Sequence, residues 1–328
     1  MPLFSDSNLP SIDRVGQEGA PVISSEQASG IKSVRVGLLN MMPDKAIAAT
    51  ERQFLRLLSS CHDVGVYLHP FSIPEIQRSK DAGAHIRAHY QSFAEIRELG
   101  LDALIVTGAN VTQPELTAES FWPSLVEVMT WADEHVPSTV CSCLATHAGA
   151  KIFHGIDRVH LEEKCWGVFE HELVAEHLLL EGVPRRFMMA HSRFNQVTQK
   201  ALQAQGVEVL ISSAQAGVQL AIEPQLRMVY FQGHPEYEQI SLLKEYKREV
   251  VRYALAERDT YPPLPENYFP SDVLDVLAGF RQQISKASDK ETVLLDFPEA
   301  VLNSAVEDTW QPVSRQLYRN WLHWVANN

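Results

Sequence analysis

Cys143 and the pair His234 and Glu236 are the side chains whose type and spacing could do chemistry. Cys143 ends the apolar run Pro137-Ser-Thr-Val-Cys-Ser-Cys143 and opens Leu144-Ala-Thr-His-Ala148, which reads as a helix. A thiol at such a junction faces backbone N–H groups and the positive end of a helix dipole, which favour a thiolate and can hold an oxyanion. About ninety residues later, Phe231-Gln-Gly-His-Pro-Glu236 supplies a His-x-Glu in an extended stretch. There the imidazole could be a general base and the carboxylate its orienter, the two projecting to one side. A single cysteine is as readily a small buried hydrophobe, and His234-Pro-Glu236 alone as readily a turn. It is their joint occurrence that points to a cysteine nucleophile carrying an acyl group.

Such groups need a scaffold, and the chain has an α/β rhythm. Apolar strands are predicted over 34–39, 65–69, 102–107 and 138–142, with helices over 45–59 and 119–134. This alternation implies a parallel sheet covered by helices on both faces. Catalytic groups in such sheets gather at the C-terminal ends of strands. Residues 40–45, residues 107–110 and Cys143 fall there, while His234 follows a strand over 228–232 through Gly233. An oxyanion hole would combine the Leu144 N–H with a donor from the Gly108 to Asn110 loop, with Ala109 at its centre. Cys141 faces the other side of its strand and reads as core.

Beyond Cys165 the segments shorten, and 207–232 is spaced like a β-meander. A helix is expected over 242–256, a proline-punctuated crossing over 262–270, and two helical pieces around a polar hinge at 285–290. An aromatic helix over 318–325 should dock on the body. Residues 1–32 are polar and without periodicity, so they read as an extended arm. The organisation expected is thus an arm (1–32), an α/β domain (33–270) and a C-terminal extension (271–328) whose 271–305 insertion suits a lid or an oligomerisation element.

With 328 residues, 45% hydrophobic and 21% charged, the composition is that of a globular protein. Its four cysteines lack a framework spacing and read as reduced thiols in a cytoplasmic protein. The start has no basic and apolar leader, and no apolar run approaches the ~18 residues of a membrane span. A formal charge of −13 argues against nucleic acid. There is no internal repeat.

A set of segments ties these features to a family. They are Leu39-Asn-Met-Met-Pro-Asp-Lys45, Thr50-Glu-Arg-Gln53, Thr107-Gly-Ala109, Glu163-Lys-Cys-Trp-Gly-Val-Phe-Glu-His171, His191-Ser-Arg-Phe194, Gly233-His-Pro-Glu-Tyr237, Pro265-Glu-Asn-Tyr-Phe-Pro270 and Asn320-Trp-Leu322. In order and spacing the chain resembles the homoserine O-acyltransferases of the succinyltransferase type, over about residues 34–270 and again at the tail. The resemblance implies a class I glutamine amidotransferase-like, flavodoxin-like three-layer fold. It implies ping-pong acyl transfer in methionine biosynthesis, from an acyl-CoA co-substrate (succinyl-CoA or acetyl-CoA) to L-homoserine, with no bound cofactor, in a cytoplasmic homodimer. The family's nucleophile, His and Glu fall on Cys143, His234 and Glu236, its substrate-holding lysine on Lys164 and its arginines on Arg193 and Arg248. Ser192 falls on a position linked to donor handling, and Lys45 on a lysine near the donor or the entrance.

Four positions depart from the family pattern. Leu144 stands for the usual Trp, His147 for Gln, and Asn110 for Pro. Thr112 occupies the position where family members using acetyl-CoA have Glu and those using succinyl-CoA have Gly. A Glu there would repel a succinyl carboxylate, whereas a Thr would not and could donate a hydrogen bond, so succinyl is the expected acyl group. His147, one turn from Cys143, is a secondary candidate for the site. The alternatives are an acetyl donor, serine as acceptor, or a glutamine amidotransferase or amidase with the same triad. Amidotransferases usually flank the nucleophile with glycines, unlike Ser142 and Leu144. A metal site on Cys141, Cys143 and His147 would need a fourth ligand and a wider spacing, so no metal is expected.

Overall fold

A computed structural model describes residues 3–5, 8–28, 30–61 and 63–328. Among the described residues eleven strands form one sheet. They are β1 (Leu3–Phe4), β2 (Val22–Ile23), β3 (Ser33–Leu39), β4 (Gly65–Phe71), β5 (Ala103–Val106), β6 (Ser138–Ser142), β7 (Val159–Leu173), β8 (Arg186–Gln196), β9 (Glu208–Ser213), β10 (Gly217–Ile222) and β11 (Met228–Phe231). The order is β2-β1-β4-β3-β5-β6-β11-β10-β9-β7-β8. From β2 to β11 all pairs are parallel; from β11 onward they are antiparallel. The expected α/β fold with helices on both faces is present, and its distal half is the expected meander extended by the β7–β8 hairpin.

Strands β5 and β6 are buried along their whole length, as required of parallel strands sandwiched between helices. One face packs on helices Trp122–His135 and Leu144–His154 around Leu125, Met129, Ala145 and Ala148. The other lies under helices Ile47–Leu58, Ser241–Ala254 and Gln311–Asn327, around Phe54, Tyr246, Leu317 and Trp321. The aromatic tail docks as expected: Trp321 Nε1 donates to Ser138 Oγ at 2.8 Å. The 271–305 segment is helical at Leu274–Lys286, Lys290–Leu294 and Glu299–Ala305, broken inside the expected hinge and once more before Glu299.

The N-terminal expectation is corrected. The described part of 1–32 is not an extended arm: β1 and β2 add to the sheet edge beside β4, and Pro10–Gln17 is a helix. Leu9, Ile12 and Val15 bury one stripe at three-residue spacing, and Phe4 stacks on Tyr67 with centroids 4.0 Å apart. Two close approaches need glycine. A Cβ on Gly167 (φ 150°) would come 2.2 Å from the Glu266 carbonyl oxygen, where the proline-rich crossing lies on β7. The other is Gly233, in the turn that carries His234.

Candidate active site

Cys143 stands where β6 becomes the Leu144–His154 helix, with φ 53° and ψ −107°. A non-glycine residue held at positive φ is strained and persists only where neighbours enforce it. Here the Cys143 N–H donates to the Phe231 carbonyl at 2.8 Å, and its own carbonyl accepts from the Thr146 N–H at 3.0 Å. Parallel pairing of Ser142 with Phe231 brings the end of β11 alongside. Gln232 and Gly233 then turn the chain, and the His234 N–H donates to the Ala190 carbonyl at 2.8 Å. A Cβ on Gly233 would meet Gln219 Oε1 at 2.2 Å and that same carbonyl at 2.8 Å, so the turn tolerates no side chain.

His234 Nδ1 lies 2.8 Å from Glu236 Oε1, with His234 8% and Glu236 6% exposed. Ser142 Oγ donates to the same carboxylate oxygen at 3.3 Å. His234 Nε2 has no hydrogen-bond partner among the described residues. Burial alone would pull the imidazole pKa down, but the charges of Cys143 and Glu236 lift it well above its ordinary value. Glu236 thus holds the inner nitrogen, and the charges of Cys143 and Glu236 together favour the protonated ring. Cys141, fully buried, has its thiol pushed well up by desolvation, as a core residue should.

The loop after β5 lies against the start of the Leu144–His154 helix. A Cβ placed on Gly108 would sit 3.9 Å from the Leu144 nitrogen, whose N–H is among the first of the helix and has no intrahelical acceptor. Thr107 Oγ1 accepts from the Met41 N–H at 2.9 Å, tying this loop to the one after β3. Ala109 is half-buried and Asn110 exposed. Thr112 is exposed and its hydroxyl donates to Glu119 Oε2 at 3.2 Å, so that donor is already engaged. Lys45 is exposed on the short Asp44–Ala46 turn. His147 is buried with both ring nitrogens unpartnered. Desolvation, with the charges of Arg193 and Arg158, drops its pKa to about 3, so it is neutral at neutral pH.

Lys164 and Ser192 come together on a residue that the sequence did not single out, Glu245. Lys164 Nζ lies 3.2 Å and Ser192 Oγ 2.6 Å from Glu245 Oε2, while Tyr237 Oη donates to Oε1 at 2.5 Å. Burial raises the Glu245 carboxyl, yet Lys164 and the two hydroxyls leave it below its usual value. One signal was available: Glu245 falls in the arc of Leu242, Leu243 and Tyr246, where a solvated carboxylate does not belong. Arg193 is buried, with no carboxylate in ion-pair range among the described residues. Arg248 is not gathered in: 63% exposed, among the described residues it pairs with the adjacent Glu249 alone, at 3.6 Å.

A cleft of about 650 Å³ is lined by residues 114–117, His147, Lys151, Arg158 and Asn195, among others. Arg158 Nη2 donates to the Pro114 carbonyl at 2.9 Å and Lys151 pairs with Asp157 at 2.7 Å. Its volume is that of a cofactor or ligand site. Among the described residues no three His, Cys, Asp or Glu side chains are grouped to hold a metal ion.

The chain is similar over nearly its whole length to proteins of one family. The family model for homoserine O-succinyltransferase matches residues 2–328. A homoserine O-succinyltransferase of Methylobacter tundripaludum is 46% identical over 327 residues, covering 98% of this chain and 92% of that protein. One from Nitrosococcus oceani is also 46% identical, with 98% and 91% covered. Among solved structures, a glutamine amidotransferase from Methylobacillus flagellatus superposes with a TM-score of 0.51 at 14% identity, covering 90% of this chain and 96% of the other. That likeness concerns the fold alone.

Proposed function

Because the chain belongs to the homoserine O-succinyltransferase family, we propose that it passes a succinyl group from succinyl-CoA through Cys143 to the side-chain hydroxyl of L-homoserine. The Cys143 thiolate attacks the thioester carbonyl, and the oxyanion faces the Leu144 N–H and the loop of Gly108 to Asn110. The carbon–sulfur bond to coenzyme A breaks, and the coenzyme A thiolate takes the proton of the His234 imidazolium. Homoserine then binds, and neutral His234 accepts the hydroxyl proton as the oxygen attacks the acyl-Cys143 thioester. Collapse of that second tetrahedral intermediate frees O-succinylhomoserine and restores the thiolate beside a protonated His234.

What carries this reading is His234, whose Nδ1 is held by Glu236, whose Nε2 is unpartnered, and whose proton affinity is raised by Cys143. Arg193 holds the amino-acid carboxylate with its unpaired charge, Lys164 lines the acceptor side, and Ser192, on the same Glu245 carboxylate, serves donor handling. Arg248 and Lys45 stand at the rim. Thr112 in place of a Glu favours succinyl over acetyl. The cleft beside His147 takes the body of the donor. The enzyme works in the cytoplasm as a homodimer without a resident cofactor; no described helix is long and apolar enough to cross a membrane.

Intact mass spectrometry after mixing with succinyl-CoA alone tests the proposal. A succinyl adduct should form on Cys143 and be discharged by homoserine. Folded protein that gives no adduct with either succinyl-CoA or acetyl-CoA would refute the covalent route.

A further inference from the structure

Two buried histidines, His171 on β7 and His191 on β8, take no part in the steps above. They lie 1% and 0% exposed, rings nearly parallel, with their Nε2 atoms 3.0 Å apart. His171 Nδ1 sits 2.9 Å from the Phe169 carbonyl oxygen. His191 Nδ1 faces Arg193 Nε at 3.4 Å. Desolvation lowers both, His171 to about 4 and His191 well below its usual value with His171 adding to it, so both are neutral at neutral pH.

A neutral imidazole has one donor and one acceptor nitrogen. The Phe169 carbonyl can only accept, so His171 carries its proton on Nδ1 and its Nε2 is bare. The short contact then requires a proton on His191 Nε2, which leaves His191 Nδ1 as an acceptor. Among the described residues the Arg193 Nε–H fills it, and a guanidinium, which has no lone pair to offer, can do so solely as donor. Reversing either ring would set two N–H groups or two lone pairs against each other.

The far end of this chain is the buried cation of the site. Arg193 also donates from Nη1 to the Asn195 carbonyl at 3.0 Å and from Nη2 to the Ala216 carbonyl. Three of its five N–H groups are thus taken by groups of the scaffold, and one N–H on each terminal nitrogen remains. His191 further abuts the catalytic turn: a Cβ on Gly233 would lie 2.8 Å from its Cε1.

We propose that His171 and His191 are positioning residues, a one-way hydrogen-bond chain from Arg193 to the Phe169 carbonyl that fixes the guanidinium and with it the seat of the amino-acid carboxylate. This rests on the reading of Arg193 as the carboxylate holder. In ¹⁵N spectra of the native enzyme at neutral pH, His171 carries its proton on Nδ1 and His191 on Nε2. His171→Leu raises KM for homoserine about tenfold, the order expected for misplacing a charged hydrogen bond. The rate at which succinyl-CoA acylates Cys143 stays as in the native enzyme. His171→Gln, which can accept from His191 and donate to Phe169, restores KM.

Opposite tautomers overturn the proposal, as does an unchanged homoserine KM in His171→Leu or equal damage to both half-reactions. Should the leucine variant not fold, the tautomers decide. Absence of the Cys143 adduct in native protein would instead refute the covalent route and leave the tautomer result standing.

Discussion

The ring of Tyr237 lies on that of His234, centroids 4.1 Å apart and planes inclined by 18°. The same tyrosine donates its hydroxyl to Glu245, and its carbonyl accepts from Trp310 Nε1 at 2.8 Å. One face of the His234 imidazole is therefore set by a residue anchored at both ends. Glu245, which joins Lys164 and Ser192, also anchors the tyrosine that stacks on His234.

Ring contact and hydroxyl can be separated. Tyr237→Phe keeps the stacked ring and loses one bond to Glu245, so kcat should stay near native with a stability loss of about 1 kcal/mol. Tyr237→Ala removes the surface against which His234 is held, and kcat should fall by about tenfold or more with little change in either KM. Steady-state kinetics with both substrates, beside urea unfolding, distinguish the two. Equal kcat values would show that the ring contact is idle.

Glu236 is one of the groups lifting His234, so Glu236→Gln should make His234 titrate at lower pH than in native enzyme, as followed by NMR. The sign for stability follows. A histidine with a raised folded pKa stabilises fully below its unfolded value of about 6.5, and this contribution is lost as pH rises through the folded value. The melting-temperature gap between native protein and Glu236→Gln should be widest on the acid side and close toward alkaline pH. A gap that widens upward would contradict the pairing.

His147 has the opposite sign. Its folded pKa of about 3 means that the unfolded chain binds the extra proton between that value and about 6.5. It therefore draws stability down by on the order of a few kcal/mol as pH falls across that window. His147→Leu should unfold at lower pH than native and keep most of its turnover at neutral pH. His234→Ala should lose about 10²–10⁴ in rate. Loss of turnover in the His147 variant matching that in His234→Ala would place the base on the wrong histidine.

The cleft lined by Lys151 and Arg158 can be probed by cutting the donor. Joint replacement of both by Ala should raise KM for succinyl-CoA while leaving succinyl-pantetheine, which lacks the nucleotide, and homoserine unaffected. Each lost charge-assisted bond should count for about 1.5–3 kcal/mol at most. An equal effect on both donors would put the nucleotide elsewhere.

The parts that were legible in the sequence are those in which one local rule dominates. The strand expected over 102–107 was visible because its buried part, Ala103–Val106, is apolar throughout, and the role of Gly233 because a tight turn needs it. Strands β7 and β8 were not, since Val159–Leu173 mixes exposed acids, histidines and a short buried stretch with no clean alternation. Glu245 passed for a solvated helix charge because its three partners lie on β7, β8 and the turn after β11, all remote in sequence. The N-terminal helix was hidden by polar neighbours, although its three apolar residues carry the stripe. Arg248, legible only through family resemblance, stays at the surface.

The tail helix has a bearing on timing. Trp310 and Gln311, at its start, both donate to the carbonyl of Tyr237, and Trp321 farther on grips the strand that ends beside Cys143. Synthesis runs from the N-terminus, so Cys143, His234 and Glu236 are all polymerised before the residues that brace them. A nascent chain that has not yet released residues 310–327 from the ribosome carries every reactive group and lacks their support. The brace on Tyr237, and through it on the His234 ring, therefore forms only after residues 143, 234 and 236 have all been made.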